Sequence, residues 1–551
     1  MGNYKLFLST ILLVGMWFQT HAQDRYAVFF KYKPQEEYSL NQPDHFLSAK
    51  ALARRAKEGV LPDSLDLPVS QKYIDEIADN VQEVLYSSKW LNALVLVTDE
   101  EGAMGIESLP FVEKVEMVAL DFVPSPNARI GKNIFASVSL KISLPVNHRK
   151  LGTNEMPYDF QNSLLRIPEM HEEGFTGKGI MVAVFDAGFP GTDESSALAH
   201  LFTNEQIVAT KDFVKPWSDY VFTSNQHGTN VLSLIAAKEE GILISGAPDA
   251  DYFLAITEDD ATEYKVEEYN WVRAAEYADS LGVDIINSSV GYYDFDDPTM
   301  NYSPEDLDGK TTVITQGANI AAQKGILIVN SVGNYGPAET SLVSPSDSEL
   351  VLAIGAVDKN LEVSNFSSRG PTADGRLKPD LTTYGNGVAL IKSNGNLGFS
   401  NGTSFSAPQI TALAAGLWEA KPEWTRAELV ENLIRSATQA DAKDNKLGFG
   451  IPNFYDAYFG EVLGVSGEEE IVWKVFPNPL AEDDLTIYFG QSLNAEFAII
   501  DMNGKTLQTA NLIRNTVKDS FRTSLQGLKP GFYIVQLQDG QQLKRTKLFR
   551  Q

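Results

Sequence analysis

Between residues 158 and 460 the chain repeats one pattern: a short, continuous apolar run, then a stretch whose apolar residues recur at helical spacing. The runs are 180–185, 252–256, 283–290, 326–332 and 350–357. Continuous rather than alternating apolar positions predict strands covered on both faces, as in a parallel sheet. Between two of them, Trp271, Ala274, Ala275, Ala278 and Leu281 share one face of a predicted helix. Strand following helix following strand predicts an α/β fold with a doubly wound parallel sheet. Such sheets bind ligands at the carboxyl ends of their strands, so chemistry is sought there.

The flanks follow other rules. Residues 24–150 hold an apolar strand at 26–32, a strand pair within 81–98 and a basic helix from Ala49 that closes at Gly59. This predicts a small α+β unit, its last part and the following residues to 160 reading as linker, with scattered Pro, Asn and Gly. Residues 461–470 form a Gly/Ser-containing acidic linker. Beyond it, 471–551 has short strands at 485–489, 497–501 and 532–537 and the hairpin dipeptide Asn503-Gly504, which predicts a small antiparallel β-sandwich. At the start, Lys5, the apolar run 6–18 and Thr20-His21-Ala22 have the layout of a secretory signal peptide ending at residue 22. That run is shorter than the roughly 20 residues a membrane-spanning helix needs, so no transmembrane anchor is expected.

Composition narrows the chemistry. The 551 residues carry a formal net charge of −28, which argues against nucleic acid or an anionic membrane as partner. The absence of cysteine excludes disulfides, thiolate metal sites and a cysteine nucleophile. With six histidines, a catalytic imidazole comes from a short list.

Four polar residues stand beside glycines at a predicted strand end or helix start. Asp186 closes the run 180–185 ahead of Ala187-Gly188; by itself it reads as a turn aspartate. His227 precedes Gly228 and the helical stripe Val231, Leu234, Ile235. Gly228 allows a close backbone approach that a histidine packed in the core would not need. Asn334 follows Gly333 after the run 326–332 and can present an amide N–H to the cleft. Ser404, in Asn401-Gly-Thr-Ser404, precedes the stripe Ala407, Ile410, Ala414, Leu417; a helix N-terminus beside it favours an oxyanion, although an N-cap serine is the ordinary reading. Each bland reading holds for one residue, but not for the four in the order Asp, His, Asn, Ser. Asp before His before Ser is the order of subtilisin among the convergent triads.

From about 160 to 458 the chain resembles the subtilisin-like serine proteases. The resemblance rests on 174–186 (Gly-Phe-Thr-Gly-Lys-Gly-Ile-Met-Val-Ala-Val-Phe-Asp), His227-Gly-Thr, 284–291 (Asp-Ile-Ile-Asn-Ser-Ser-Val-Gly), Gly402-Thr-Ser404 with Ser406-Ala-Pro408, and Gly448-Phe-Gly-Ile-Pro-Asn453. It implies a secreted serine endopeptidase acting on polypeptides through an acyl-enzyme. Ser404 would be nucleophile, His227 general base and Asp186 its orienting partner. Asn334 would serve the oxyanion hole, and Ser289, Val290 and Gly291 would bind substrate. The alternative is a catalytically decayed surface or binding protein on the same scaffold. Asn230, Tyr292 and Phe405 depart from the family pattern, the last two bearing on pocket shape. No cofactor is implied for the chemistry and no metal ligand is assigned; the family often binds structural calcium, but no loop here is assigned to it. Residues 24–120 are similar in layout to the family's inhibitory propeptides, so the chain's own propeptide is an expected partner. Val475-Phe-Pro-Asn-Pro479, Met502-Asn-Gly-Lys505 and Leu528-Lys-Pro-Gly-Phe-Tyr-Ile-Val535 resemble C-terminal sorting domains of type IX secretion, which implies that machinery as a partner and export through the periplasm to the surface or medium.

Overall fold

The computed structural model describes residues 23–120 and 156–459, and in the C-terminal part 473–476, 480, 483–489, 492–501, 504–514, 520–539 and 543–550. The expected signal peptide, both expected linkers and Asn503 lie wholly or mostly outside the described residues.

At the centre is a seven-stranded parallel sheet. Its strands run in the order Leu381–Tyr384, Leu352–Val357, Leu327–Ser331, Ile285–Ser288, Met181–Asp186, Asp251–Ile256, Ile207–Asp212. Alternate residues of one strand feed two cores: Val182 and Val184 enter one, Ala183 and Phe185 the other. The first core is covered by helices His227–Ala236 and Ala407–Ala420, the second by Val266–Leu281 and Val313–Gln323. Burial on both faces is why these strands are apolar throughout. The five predicted runs all became strands of this sheet. Two strands had no such signal. Ile207–Asp212 is an edge strand with a half-exposed face. Leu381–Tyr384 is four residues long and buries Thr382 and Thr383.

The N-terminal unit is a four-stranded antiparallel sheet, in the order Glu83–Ser88, Ala93–Thr98, Asp24–Phe30, Val112–Ala119. Tyr26, Val28, Phe30, Leu94 and Leu96 pack on its own helices. The opposite face, with Ala27, Val95 and Val118, packs against Val266 and Tyr269 of the central unit. The predicted basic helix is Ala49–Glu58, capped by the Ser48 side chain and ended by Gly59 at φ +69°. In the C-terminal part, antiparallel sheets of three and four strands share one core that includes Leu485, Ile487, Phe497, Ile499, Val535 and Leu537.

Candidate active site

Asp186 is the last residue of its strand and is fully buried. The helix His227–Ala236 begins directly opposite, because Gly228 allows it. A Cβ on Gly228 would stand 2.3 Å from the Gly188 carbonyl oxygen and 2.9 Å from Asp186 Cβ, so a larger residue would push the helix away. The approach leaves His227 Nδ1 2.9 Å from both carboxylate oxygens of Asp186. Nε2 is then the ring nitrogen left for other work. Burial pulls the imidazole pKa down; the charge of Asp186 and its hydrogen bond outweigh this, and the net direction is up.

Ser404 lies in the 3-10 turn Thr403–Phe405, just before the helix Ala407–Ala420. Pro408 sits in that helix's first turn, where a missing N–H costs nothing. The Ser404 hydroxyl donates to the Ser289 carbonyl at 3.3 Å, and the Ser289 hydroxyl donates to the Ser404 carbonyl at 2.9 Å. The Ser404 turn and Ser289 are therefore locked together. Phe405 brings its ring to 5.4 Å from the imidazole, so this turn also packs against His227. Asn334 is oriented by Thr403, whose N–H and hydroxyl donate to Asn334 Oδ1 at 3.0 and 3.1 Å. With Oδ1 engaged, the Asn334 amide nitrogen is the end left to donate elsewhere. Gly402, at φ +150°, lies beneath that nitrogen.

Asp186, His227, Ser289, Val290 and Phe405 line one cleft of about 560 Å³. Of the seven residues named from the sequence, Asp186, His227, Ser289 and Val290 line this cleft. Ser404 is bonded to Ser289, Asn334 is bonded to Thr403 of the Ser404 turn, and Gly291 follows Val290, but these three do not line it. The arrangement can take a proton from a hydroxyl, hold the resulting imidazolium against a buried carboxylate, and offer N–H groups to an oxyanion.

One group was missed. Glu258, Glu263 and Glu267 hold carboxylate oxygens within 4.8 Å of one another, and all three line the same cleft. The signal was present in Glu258-Asp-Asp260, which directly follows a strand's carboxyl end. Tyr292 is buried, and its hydroxyl donates to Glu258 at 2.7 Å. Asn230, also in the cleft wall, is buried within its helix.

Comparison with known proteins gives three matches along the chain. Residues 177–450 match the model of the subtilase family. Residues 25–130 match a peptidase S8 propeptide domain of Bacteroidota, and 474–550 a secretion system C-terminal sorting domain. Among curated relatives, subtilisin E of Bacillus subtilis is 25% identical over 374 residues, covering 67% of this chain and 81% of the relative. Subtilisin of Bacillus pumilus is 28% identical over 286 residues, covering 51% and 92%. Among solved structures, MycP1 from Mycobacterium smegmatis aligns with TM-score 0.45 at 22% identity, covering 58% of this chain and 89% of that one. Sphericase aligns with TM-score 0.42 at 25% identity, covering 50% and 92%. Among the described residues no helix is long and apolar enough to cross a membrane.

Proposed function

We propose, from the chain's membership of the subtilase family of serine endopeptidases, that Asp186, His227, Ser404 and Asn334 are its working residues and that it cuts polypeptides outside the cell. Ser404 Oγ attacks the peptide carbonyl as His227 Nε2 takes its proton. His227 then returns that proton to the leaving amine, leaving an acyl group on Ser404. Water, activated by the same imidazole, hydrolyses the ester. Asp186 fixes the imidazole tautomer and stabilises the imidazolium; it keeps its own charge throughout. The Asn334 amide and the Ser404 N–H hold the oxyanion. Ser289, Val290 and Gly291 pair with extended substrate as an added strand.

The observation that carries this reading is the pair of 2.9 Å contacts between His227 Nδ1 and Asp186, set beside a serine turn packed on the imidazole by Phe405. Ser404→Ala should lower turnover of peptide substrates by about 10⁶, the order seen when such a triad is disabled. Normal hydrolysis by that variant would end the assignment. The propeptide domain at the N-terminus acts here as the enzyme's own inhibitor, and the sorting domain at the C-terminus hands the folded protein from the periplasm to type IX secretion.

A further inference from the structure

The cleft beside His227 is lined on one side by Glu258, Asp259, Asp260, Glu263, Glu267 and Asp296; the bases lining it are His227 and Lys392. Several of these acids have local employment. Asp260 accepts from Asn225 Nδ2 at 2.6 Å, and Asp296 accepts from the Glu263 N–H at 3.0 Å. Glu258 accepts from Tyr292 and from Thr257, each at 2.7 Å.

Glu267 is different. It is 1% exposed, its Oε1 has one long contact of 3.4 Å from the Tyr264 N–H, and its Oε2 is buried without a donor. The facing carboxyl of Glu258 can bond to Glu267 only if one of the two holds a proton. Burial raises Glu258, Glu263 and Glu267, and a neighbouring carboxylate adds to it at each: Asp186 at Glu258, Glu258 at Glu263, and Glu263 at Glu267.

What could fill this corner is indicated by its position and by the chain itself. Val290 and Ser289 line the same cleft, so a strand paired along 289–291 projects every second side chain toward one wall. From behind, the N-terminal unit brings a guanidinium, Arg25, within electrostatic reach of Asp259 and Glu267. Removal of the propeptide would take that cation away.

We infer that Glu258, Glu263 and Glu267 form a specificity pocket for a lysine or arginine side chain of the substrate. The inference rests on the peptidase reading above and adds the substrate class. The incoming cation gives Glu267 Oε2 its missing donor and lets the crowded carboxyls ionise. Tyr292 and Thr257 hold Glu258 in place for it, so the tyrosine that departs from the family pattern is a positioning residue of this pocket.

The test uses the mature wild-type enzyme and a positional-scanning set of fluorogenic peptides. Lysine, arginine or norleucine is placed at each position upstream of the cut, with EDTA or with calcium. At one or more positions, lysine or arginine should exceed norleucine by about tenfold or more in kcat/KM, as expected when a buried charge is otherwise left unmatched. Glu267→Gln should bring that ratio within about threefold of one. Glu263→Gln, at the more exposed rim, should reduce it partway. Because the ratio is taken within each variant, a lower active fraction cancels. Norleucine equal to lysine and arginine at every position would overturn the inference, as would a ratio unchanged in both variants. Calcium raising the melting temperature of wild type but not of Glu267→Gln, without a basic preference in EDTA, would make the corner a metal site and also overturn it. In each of those cases cleavage of norleucine peptides leaves the peptidase reading standing; failure to cut any peptide would remove both.

Discussion

Two clusters of buried charge lie at opposite ends of the helix Val266–Leu281 and are built on opposite rules. At its first turn, Glu267 meets Glu258 and Glu263 in the cleft, acid against acid. Near its last turn, Asp279 receives Arg54 at 2.5 Å and Arg55 at 2.6 Å from the N-terminal unit. Arg55 also grips both oxygens of Asp66, at 2.8 and 2.7 Å, and Lys324 reaches Asp66 at 2.9 Å. The helix dipole favours acids at the first end and opposes them at the second. The back cluster therefore needs its arginines more, and has them. There, the bonds to Arg55 hold Asp66 well below the usual carboxylate range against the upward push of burial. In front, burial first and neighbouring carboxylates second drive the carboxyls up. A balanced buried network joins two parts of one molecule; an unbalanced one on a cleft wall is completed by something that arrives.

Asp186 is paired in the cleft with the imidazole of His227, and breaking that pair should have the largest effect. Asp186→Asn should cut turnover by about 10⁴, because the imidazole loses its fixed tautomer and its counter-charge. The pH profile gives a second readout. In the proposed mechanism only the neutral imidazole accepts the serine proton, so wild-type activity should be lost as pH falls through the raised pKa of His227. Without the carboxylate that pKa drops, and the variant's residual activity should persist to lower pH than wild type. An acid limb that stays in place would mean that another group sets it.

The back of the helix is tested by inhibition. Asp279→Asn should weaken inhibition by residues 24–150 added in trans by about 10² or more, since removing one partner of a buried pair costs about 3–5 kcal/mol. Peptide turnover by the mature variant should fall far less than in Asp186→Asn. If the inhibition constant does not change, the arginine network is incidental to holding the propeptide.

These two ends of one helix were unequally legible in the sequence. The sheet could be read because strands buried on both faces leave uninterrupted apolar runs. It failed at Ile207–Asp212, whose exposed edge breaks the run. The four catalytic candidates could be read because each sits beside a glycine at an element's end, in a recognisable order. The back cluster could not: Arg55 and Asp279 are 224 positions apart, and only docking of the two units joins them. The front cluster was half visible. Glu258, Asp259 and Asp260 follow a strand that was correctly found, but burial of Glu267 and its closure by Tyr292 depend on packing that spacing alone does not reveal.

The smallest expected effect tests whether the front cluster is short of compensating positive charge. Glu267 has its pKa raised in the folded chain, first by burial and then by the charges of Glu263 and Glu258. It therefore keeps a proton in the fold that the unfolded chain gives up at ordinary carboxyl pH. The stability tied to that proton is fully present below the unfolded pKa and is lost as pH rises toward the folded one. Glutamine at 267 is neutral at every pH and so copies the protonated form. In a Ser404→Ala background, which prevents self-digestion, Glu267→Gln should melt close to its parent at about pH 5. At about pH 8 it should be more stable by about 1 kcal/mol, a rise of about 2 °C for a unit of this size. The same change at the back should go the other way, with Asp279→Asn destabilising at both pH values, because there the charge is matched. A Glu267→Gln variant less stable than its parent at the higher pH would show that the front carboxylates are already balanced, and the contrast between the two ends of the helix would collapse.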